Sequence, residues 1–260
     1  MAAMAHSPLG PPQLPRSPQS LGGEGFAMSI ATRYRAIRAE IDDICRECGR
    51  DPQEVKLVAV SKTVGIPEVK EALDAGAVAF GENRPDQIVT KQAVYPDAEW
   101  HFIGNIQSRR INDIVGAASL IHSVYQEHHL ARIDRAAQEH GKVQPILLEV
   151  NVSGEESKSG LAPNAVEDMM AAVDKFEHIE LRGLMTMAPQ GDIAVAEKTF
   201  ADLEALRNKL RTCVFPVNGT FDLDELSMGM SEDWRVAIPH GATMVRVGRA
   251  IFSDDFEPTA

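Results

Sequence analysis

The sequence predicts a (β/α)8 barrel preceded by one extra helix. Eight short apolar runs alternate with seven helical segments between residues 55 and 248. Strict alternation of this kind means parallel strands joined by helical crossovers. Pro67, Pro85 and Pro163 stand where a first helical turn would begin, and Gly76, Gly141 and Gly241 fall just past a helix. Those are the positions each residue type favours. A doubly wound open sheet would usually carry a G-x-G-x-x-G turn after its first strand. Here that turn reads Ser61-Lys62-Thr63-Val64-Gly65.

Taken in order, residues 1–27 hold five prolines with glycine, serine and little apolar content. Such a stretch cannot bury enough surface to order itself, and a disordered extension is expected. It lacks the apolar centre of a secretory signal, and Met28 is an alternative start. One domain is expected over 28–260. Ile30, Tyr34, Ile37, Ile41 and Ile44 recur at helical spacing, so a leading helix forms before Gly49 and Pro52. The apolar runs follow at 55–62, 77–83, 99–104, 119–125, 145–151, 179–187, 224–230 and 244–248. Each reads as a strand buried on both faces. The helical segments lie at about 66–75, 85–94, 107–116, 126–140, 163–176, 194–212 and 231–239.

The net charge of −12 argues against a general nucleic-acid surface or an anionic-membrane surface. No apolar run approaches the roughly 20 residues that span a bilayer. Three cysteines, Cys45, Cys48 and Cys213, make no disulfide framework and point to a reducing, cytoplasmic setting. Cys45-Arg46-Glu47-Cys48 has C-x-x-C spacing, but it lies in a helical pattern without a second ligand pair. No extended apolar surface pattern demands a second copy, so a monomer is expected.

In a barrel of this kind the chemistry sits at the C-terminal strand ends. The unusual residues collect there: Lys62, then Glu82 and Asn83, His101, Asn151 and Ser153, Met185 and Met187, Ser227, Gly229 and Ser231, and finally Arg246 and Gly248. Lys62 ends an apolar run. It is either a snorkelling strand end or a desolvated amine ready to attack a carbonyl. Asn83 and Ser231 also suit helix N-caps. Barrels often hold phosphate with the loops after strands seven and eight, and Gly229, Ser231 and Gly248 supply small residues there. Arg246 interrupts an apolar strand, either as an ion-pair partner of Glu82 or Glu149 or as an arginine near a ligand ring. An amine, anion donors and an arginine on one mouth suit pyridoxal phosphate. An arginine at its ring nitrogen would keep that nitrogen unprotonated and make the cofactor a poor electron sink.

At this point the sequence resembles a known family. Val58-Ala59-Val60-Ser61-Lys62-Thr63, Phe80-Gly81-Glu82-Asn83, Trp100-His101-Phe102-Ile103-Gly104, Ser157-Lys158-Ser159-Gly160, Leu181-Arg182-Gly183-Leu184-Met185, Leu226-Ser227-Met228-Gly229-Met230-Ser231 and Val245-Arg246-Val247-Gly248 are similar, in order, to the YggS/PROSC family of pyridoxal phosphate homeostasis proteins. The resemblance implies a fold-type III barrel like the N-terminal part of alanine racemase, with pyridoxal 5'-phosphate as cofactor. It implies a Schiff base on Lys62. It further implies that Ser227, Gly248 and Arg249 lie at the phosphate, largely through backbone donors, that Arg246 lies near the pyridine nitrogen, and that Asn83 and Met187 line the ring. Arg249 stands where the family often carries threonine or serine. Family members are thought to bind and deliver the cofactor, with pyridoxal phosphate-dependent apo-enzymes as recipients, and no clear catalysis is attributed to them.

A racemase of the same fold type is the alternative. It needs a second acid/base, usually brought by an extra β-domain. The chain ends soon after strand eight, and Tyr34, Tyr95 and Tyr125 are not placed at an evident strand-end catalytic position. A carrier is therefore expected. A cofactor-free barrel enzyme, such as a phosphosugar enzyme, would leave Lys62 unmodified.

Overall fold

Alternating inward and outward side chains on short, largely buried strands build this molecule. The computed structural model describes residues 28–155 and 158–256. The expected disordered extension over 1–27 and Ser157 of the Ser-Lys-Ser-Gly motif lie outside the described residues. The elements are α1 (Ile30–Glu47), β1 (Lys56–Val60), α2 (Ile66–Asp74), β2 (Ala79–Glu82), α3 (Pro85–Val94), β3 (Glu99–Phe102), α4 (Ile111–Ala117), β4 (Leu120–Val124) and α5 (Leu130–Glu139). They continue with β5 (Gln144–Glu149), α6 (Val166–Val173), β6 (Ile179–Met185), α7 (Ile193–Leu210), β7 (Glu225–Ser227), α8 (Trp234–Ala237), β8 (Met244–Val247) and α9 (Arg249–Phe252). The eight strands form one closed barrel in sequence order. β8 closes on β1 in parallel, with Lys56 opposite Met244 and Ala59 opposite Val247.

Two apolar layers result. Val58, Ala79, Leu120, Leu147, Met185 and Met244 fill the barrel interior. Leu57, Ala59, Phe80, Trp100, Ile121 and Ile146 belong to the larger layer shared with the helices. Leu57, Val58 and Ala59 thus go to different sides in turn, as strand geometry requires. Met185, expected among the site residues, is instead part of the interior filling.

Helix α1 buries Ile30, Tyr34, Ile37, Ile41 and Cys45. The expected Ile44 is partly buried and packs against the same core, and Cys45 beside it widens the stripe, since 3.6 residues per turn returns three or four residues after Ile41. This helix packs against α2 and α9, outside the β8–β1 seam. Helices α4, α5 and α6 each begin with a 3-10 turn, at Ser108–Arg110, Glu127–His129 and Pro163–Ala165. The segment expected over 231–239 keeps only the four α-helical residues of α8. The short α9 directly after β8 was not expected.

Candidate cofactor site

β1 ends at Val60, and the Ser61 N–H still donates to Gly81 O at 3.0 Å. The chain then turns, with the Val64 N–H donating to Ser61 O at 3.1 Å. Lys62 and Thr63 form the tip of that turn and are exposed. Lys62 lies two residues beyond the last strand residue and is exposed at the mouth, which favours the strand-end reading over the desolvated one.

The base of the turn is held from below. Lys91 of α3 is buried, and its Nζ donates to Ser61 O at 2.9 Å, Val64 O at 2.8 Å and Glu82 Oε1 at 2.6 Å. Ser61 Oγ donates to the same Glu82 oxygen at 2.6 Å. Asn83, next to Glu82, is exposed at the exit of β2. It does not cap α3; Arg84 occupies that position without a side-chain cap bond.

The exits of β7 and β8 meet beside β1. Gly229 has φ +91°, a left-handed conformation that glycine adopts at no cost. Its carbonyl accepts from the Arg246 N–H at 2.9 Å, which ties the two loops together. A Cβ on Gly248 would stand 3.1 Å from Val60 O, so this glycine lets β8 close against the strand that leads to Lys62. The Gly248 and Ala250 N–H groups both donate to Ser231 Oγ at 3.3 Å. Ser231 is thus not the N-cap of α8. That position is Asp233, whose Oδ1 accepts from the Met230 N–H. Two converging backbone N–H groups on one oxygen, with no side chain on Gly248, form a donor set that suits an anion. Arg249 is exposed, pairs with Glu232 at 2.5 Å and lies over the Phe256 ring.

Arg246 points into the barrel and is 4% exposed. Neither Glu82 nor Glu149 pairs with it among the described residues. Its Nη1 donates to Ser227 Oγ at 2.6 Å and its Nη2 to Thr186 O at 3.0 Å. Burial brings its pKa down to about 10, against the opposing pull of Asp233 and Glu149. Glu149 is pushed up to about 7 by burial, although Arg246 favours its charged form. Ser227 is fully buried, and its hydroxyl is held between Arg246 and His122 Nδ1, the latter at 2.8 Å. Its side chain therefore faces the barrel interior rather than the Ser231 donor set. Met187 follows β6 and is 37% exposed. Its carbonyl accepts from Lys158 Nζ at 3.4 Å.

Chain connectivity brings Lys62, Gly248, Ser231 and Arg246 to one end of the barrel on adjacent strands. Tyr125, set aside from the sequence, directly follows β4 at that same end, and its hydroxyl donates to Asn105 Oδ1 at 3.0 Å. Three contributors escaped sequence reasoning: Lys91, His122 and the Thr186 carbonyl. His122 had a usable signal, since it breaks an apolar strand as Arg246 does. His101, expected at the mouth, lies instead inside the barrel against His122, at 2.9 Å.

The family described as alanine racemase, N-terminal domain, matches residues 33–255. The pyridoxal phosphate homeostasis protein of Pseudomonas aeruginosa is 38% identical over 227 residues, covering 86% of this chain and 95% of that protein. The structure of PipY of Synechococcus elongatus with pyridoxal phosphate bound is 32% identical, with a TM-score of 0.75, and covers 86% of this chain and 100% of that one. Alanine racemase of Clostridium difficile shares the fold at 15% identity, with a TM-score of 0.66 over 87% of this chain and 56% of that one. By sequence and by barrel, the chain belongs to the alanine racemase N-terminal domain family and, within it, to the pyridoxal phosphate homeostasis proteins.

Proposed function

We propose that this chain binds pyridoxal 5'-phosphate and serves its homeostasis by holding and delivering it, without turnover of an amino acid. One observation carries the reading. The exposed Lys62 follows β1 beside the β8 exit, where Gly248 packs on the Val60 carbonyl and offers its N–H together with Ala250. An amine and a set of anion donors on neighbouring strands fit an aldehyde that carries a phosphate. When bound, the cofactor supplies an aldehyde that an uncharged lysine amine takes up with loss of one water. Lys62 is the tether in this reading. Gly248, Ala250 and Ser231 hold the phosphate end, with Arg249 at its margin. Arg246 faces the ring nitrogen and, as a permanent donor, keeps it unprotonated. Asn83 and Met187 flank the ring from the exits of β2 and β6.

The names of the relatives support the carrier over the racemase. An exposed Lys62 also suits it, because a tether open to water can pass its load to an acceptor. The recipients would be pyridoxal phosphate-dependent apo-enzymes, met by a monomer in the cytoplasm. The free Cys45, Cys48 and Cys213 are compatible with a reducing compartment.

The visible spectrum of the purified protein tests the reading. A band that appears on adding the cofactor and is absent in Lys62→Ala is expected. Its absence from the native chain points to a cofactor-free barrel. The loaded protein is then given alanine or serine enantiomers. Racemisation on the order of 1 s⁻¹ or faster overturns the carrier, and Tyr125→Phe would then test the one tyrosine at the mouth.

A further inference from the structure

TIM-barrel interiors are filled mostly by branched apolar side chains. This one also contains a continuous row of polar groups. Arg246 Nη1 reaches Ser227 Oγ at 2.6 Å, and Ser227 Oγ meets His122 Nδ1 at 2.8 Å. His122 Nε2 lies 2.9 Å from His101 Nδ1, and His101 Nε2 lies 3.4 Å from Glu99 Oε2. The same Glu99 oxygen accepts from Lys56 Nζ at 2.5 Å. Arg246, Ser227, His122 and His101 are all at most 4% exposed. Glu99 and Lys56, the first residues of β3 and β1, are partly exposed at the opposite end of the barrel. The row runs from one end of the barrel to the other.

Its two ends fix every proton between them. A guanidinium can only donate, so Ser227 Oγ accepts from Arg246. The single serine proton then goes to His122 Nδ1. A neutral His122 must carry its proton on Nε2 and give it to His101 Nδ1. His101 in turn carries its proton on Nε2 and points it at the Glu99 carboxylate. Burial holds both imidazoles below their ordinary range, and His122 well below, so the neutral forms prevail. Glu99 stays a carboxylate, brought down to about 2 chiefly by the His101 hydrogen bond and by Lys56. β4 also shifts register between Ile121 and Val124, the stretch that contains His122. Such irregularities re-aim a side chain.

We propose that His122 and His101 are positioning residues for Arg246: their locked tautomers keep Ser227 Oγ turned toward the guanidinium, and with the Thr186 carbonyl they fix which N–H groups of Arg246 remain for a ligand ring. The proposal rests on the reading of Arg246 as the partner of that ring. The two histidines touch no ligand and act through Ser227. A buried row of this kind rigidifies its members when every one of them is satisfied.

Two measurements test it, and the first needs no cofactor. In the cofactor-free protein with 15N-labelled histidine, two neutral imidazoles carrying the proton on Nε2 are expected, one lost in His122→Asn and the other in His101→Asn. A His122 protonated on Nδ1, or cationic at pH 7, overturns the proposal whether or not the chain binds pyridoxal phosphate. The second measurement is equilibrium binding of pyridoxal phosphate, read from the visible band. His122→Leu is expected to weaken binding by about three- to tenfold, the weight of one neutral hydrogen bond, and to move the band. His122→Asn, whose amide oxygen can accept in place of Nδ1, restores most of both. Should His122→Leu fail to fold, Ser227→Ala removes the same link and is expected to show the same weakening. Binding and band position unchanged in the folded variant of that pair overturn the positioning role. If the native protein shows no band at all, the proposed function fails, and the histidine resonances still decide the row.

Discussion

Lys91 Nζ lies 2.6 Å from Glu82 Oε1, and both side chains are closed off from water. This pair lies beneath the turn that carries Lys62, and two further bonds from Lys91 reach the carbonyls of Ser61 and Val64. Removing one member of a buried pair leaves a charge without compensation, a loss of about 3–5 kcal/mol. Glu82 Oε2 already lacks a partner, which sharpens the effect. Lys91→Ala is therefore expected to lose about that much in urea unfolding. Lys91→Met combined with Glu82→Gln should regain most of it, since Gln still accepts from Ser61. A single variant as stable as the native chain would show that the pair contributes nothing.

Lys62 should separate binding from stability. It is exposed at a turn tip. Substitutions at such positions usually stay within about 0.5 kcal/mol. Lys62→Ala is expected to melt like the cofactor-free native protein. Added pyridoxal phosphate raises the melting temperature of the native chain, because a ligand stabilises the state it binds. Much of that rise should vanish in the variant. Equal rises in both proteins would mean that Lys62 is not the attachment point.

Gly229 is held by space as well as by φ. A Cβ there would come 2.8 Å from Trp234 Cα and 2.9 Å from Ala237 Cβ. Gly191 has a similar φ of +88° with nothing within 4 Å. Gly191→Ala is expected to cost about 1 kcal/mol from the backbone alone. Gly229→Ala should cost more, about 2–3 kcal/mol, because α8 must also shift. It should weaken phosphate-end binding in parallel, since the Gly229 carbonyl receives the Arg246 N–H. Equal costs for the two variants would show that α8 moves freely.

The barrel was legible because its signals are local. Several apolar runs are bounded by a proline or a glycine, and seven of the eight strands fall inside the runs read from the sequence, with β5 starting one residue earlier at Gln144. Lys62 and Arg246 were legible for a related reason: each is a charge in or against an apolar strand. What escaped depends on partners far along the chain. Ser231 looks like an N-cap, yet its hydroxyl accepts from residues 17 and 19 positions away. Lys91 looks like a solvated helix residue until α3 is laid against the β1 turn. Which of the two readings of Lys62 holds depends on where the strand stops relative to the barrel rim, and the sequence left both open.

Glu149 gives the stability of this protein a pH dependence whose sign can be worked out. Its carboxyl is pushed from an ordinary 4.5 up to about 7. Between those values the folded chain keeps a proton that the unfolded chain has released. Stability therefore falls as pH rises through that window and levels off above 7. The cost there is on the order of 3 kcal/mol, from 1.36 kcal/mol per unit. His101 and His122 act in the opposite sense. They are held below 6.5 by burial, so the unfolded chain gains protons first as pH falls, and their share of the stability is lost on acidification. A raw stability curve mixes the two effects; the difference between native protein and Glu149→Gln does not. That variant is expected to match the native chain near pH 4 and to exceed it by up to about 3 kcal/mol at pH 8. The neighbouring Arg246 charge is present in both proteins, so it does not mimic the effect. Parallel urea-derived stability curves for the two proteins would show that Glu149 releases its proton at an ordinary pH, and that the cavity around it is wetter than its burial indicates.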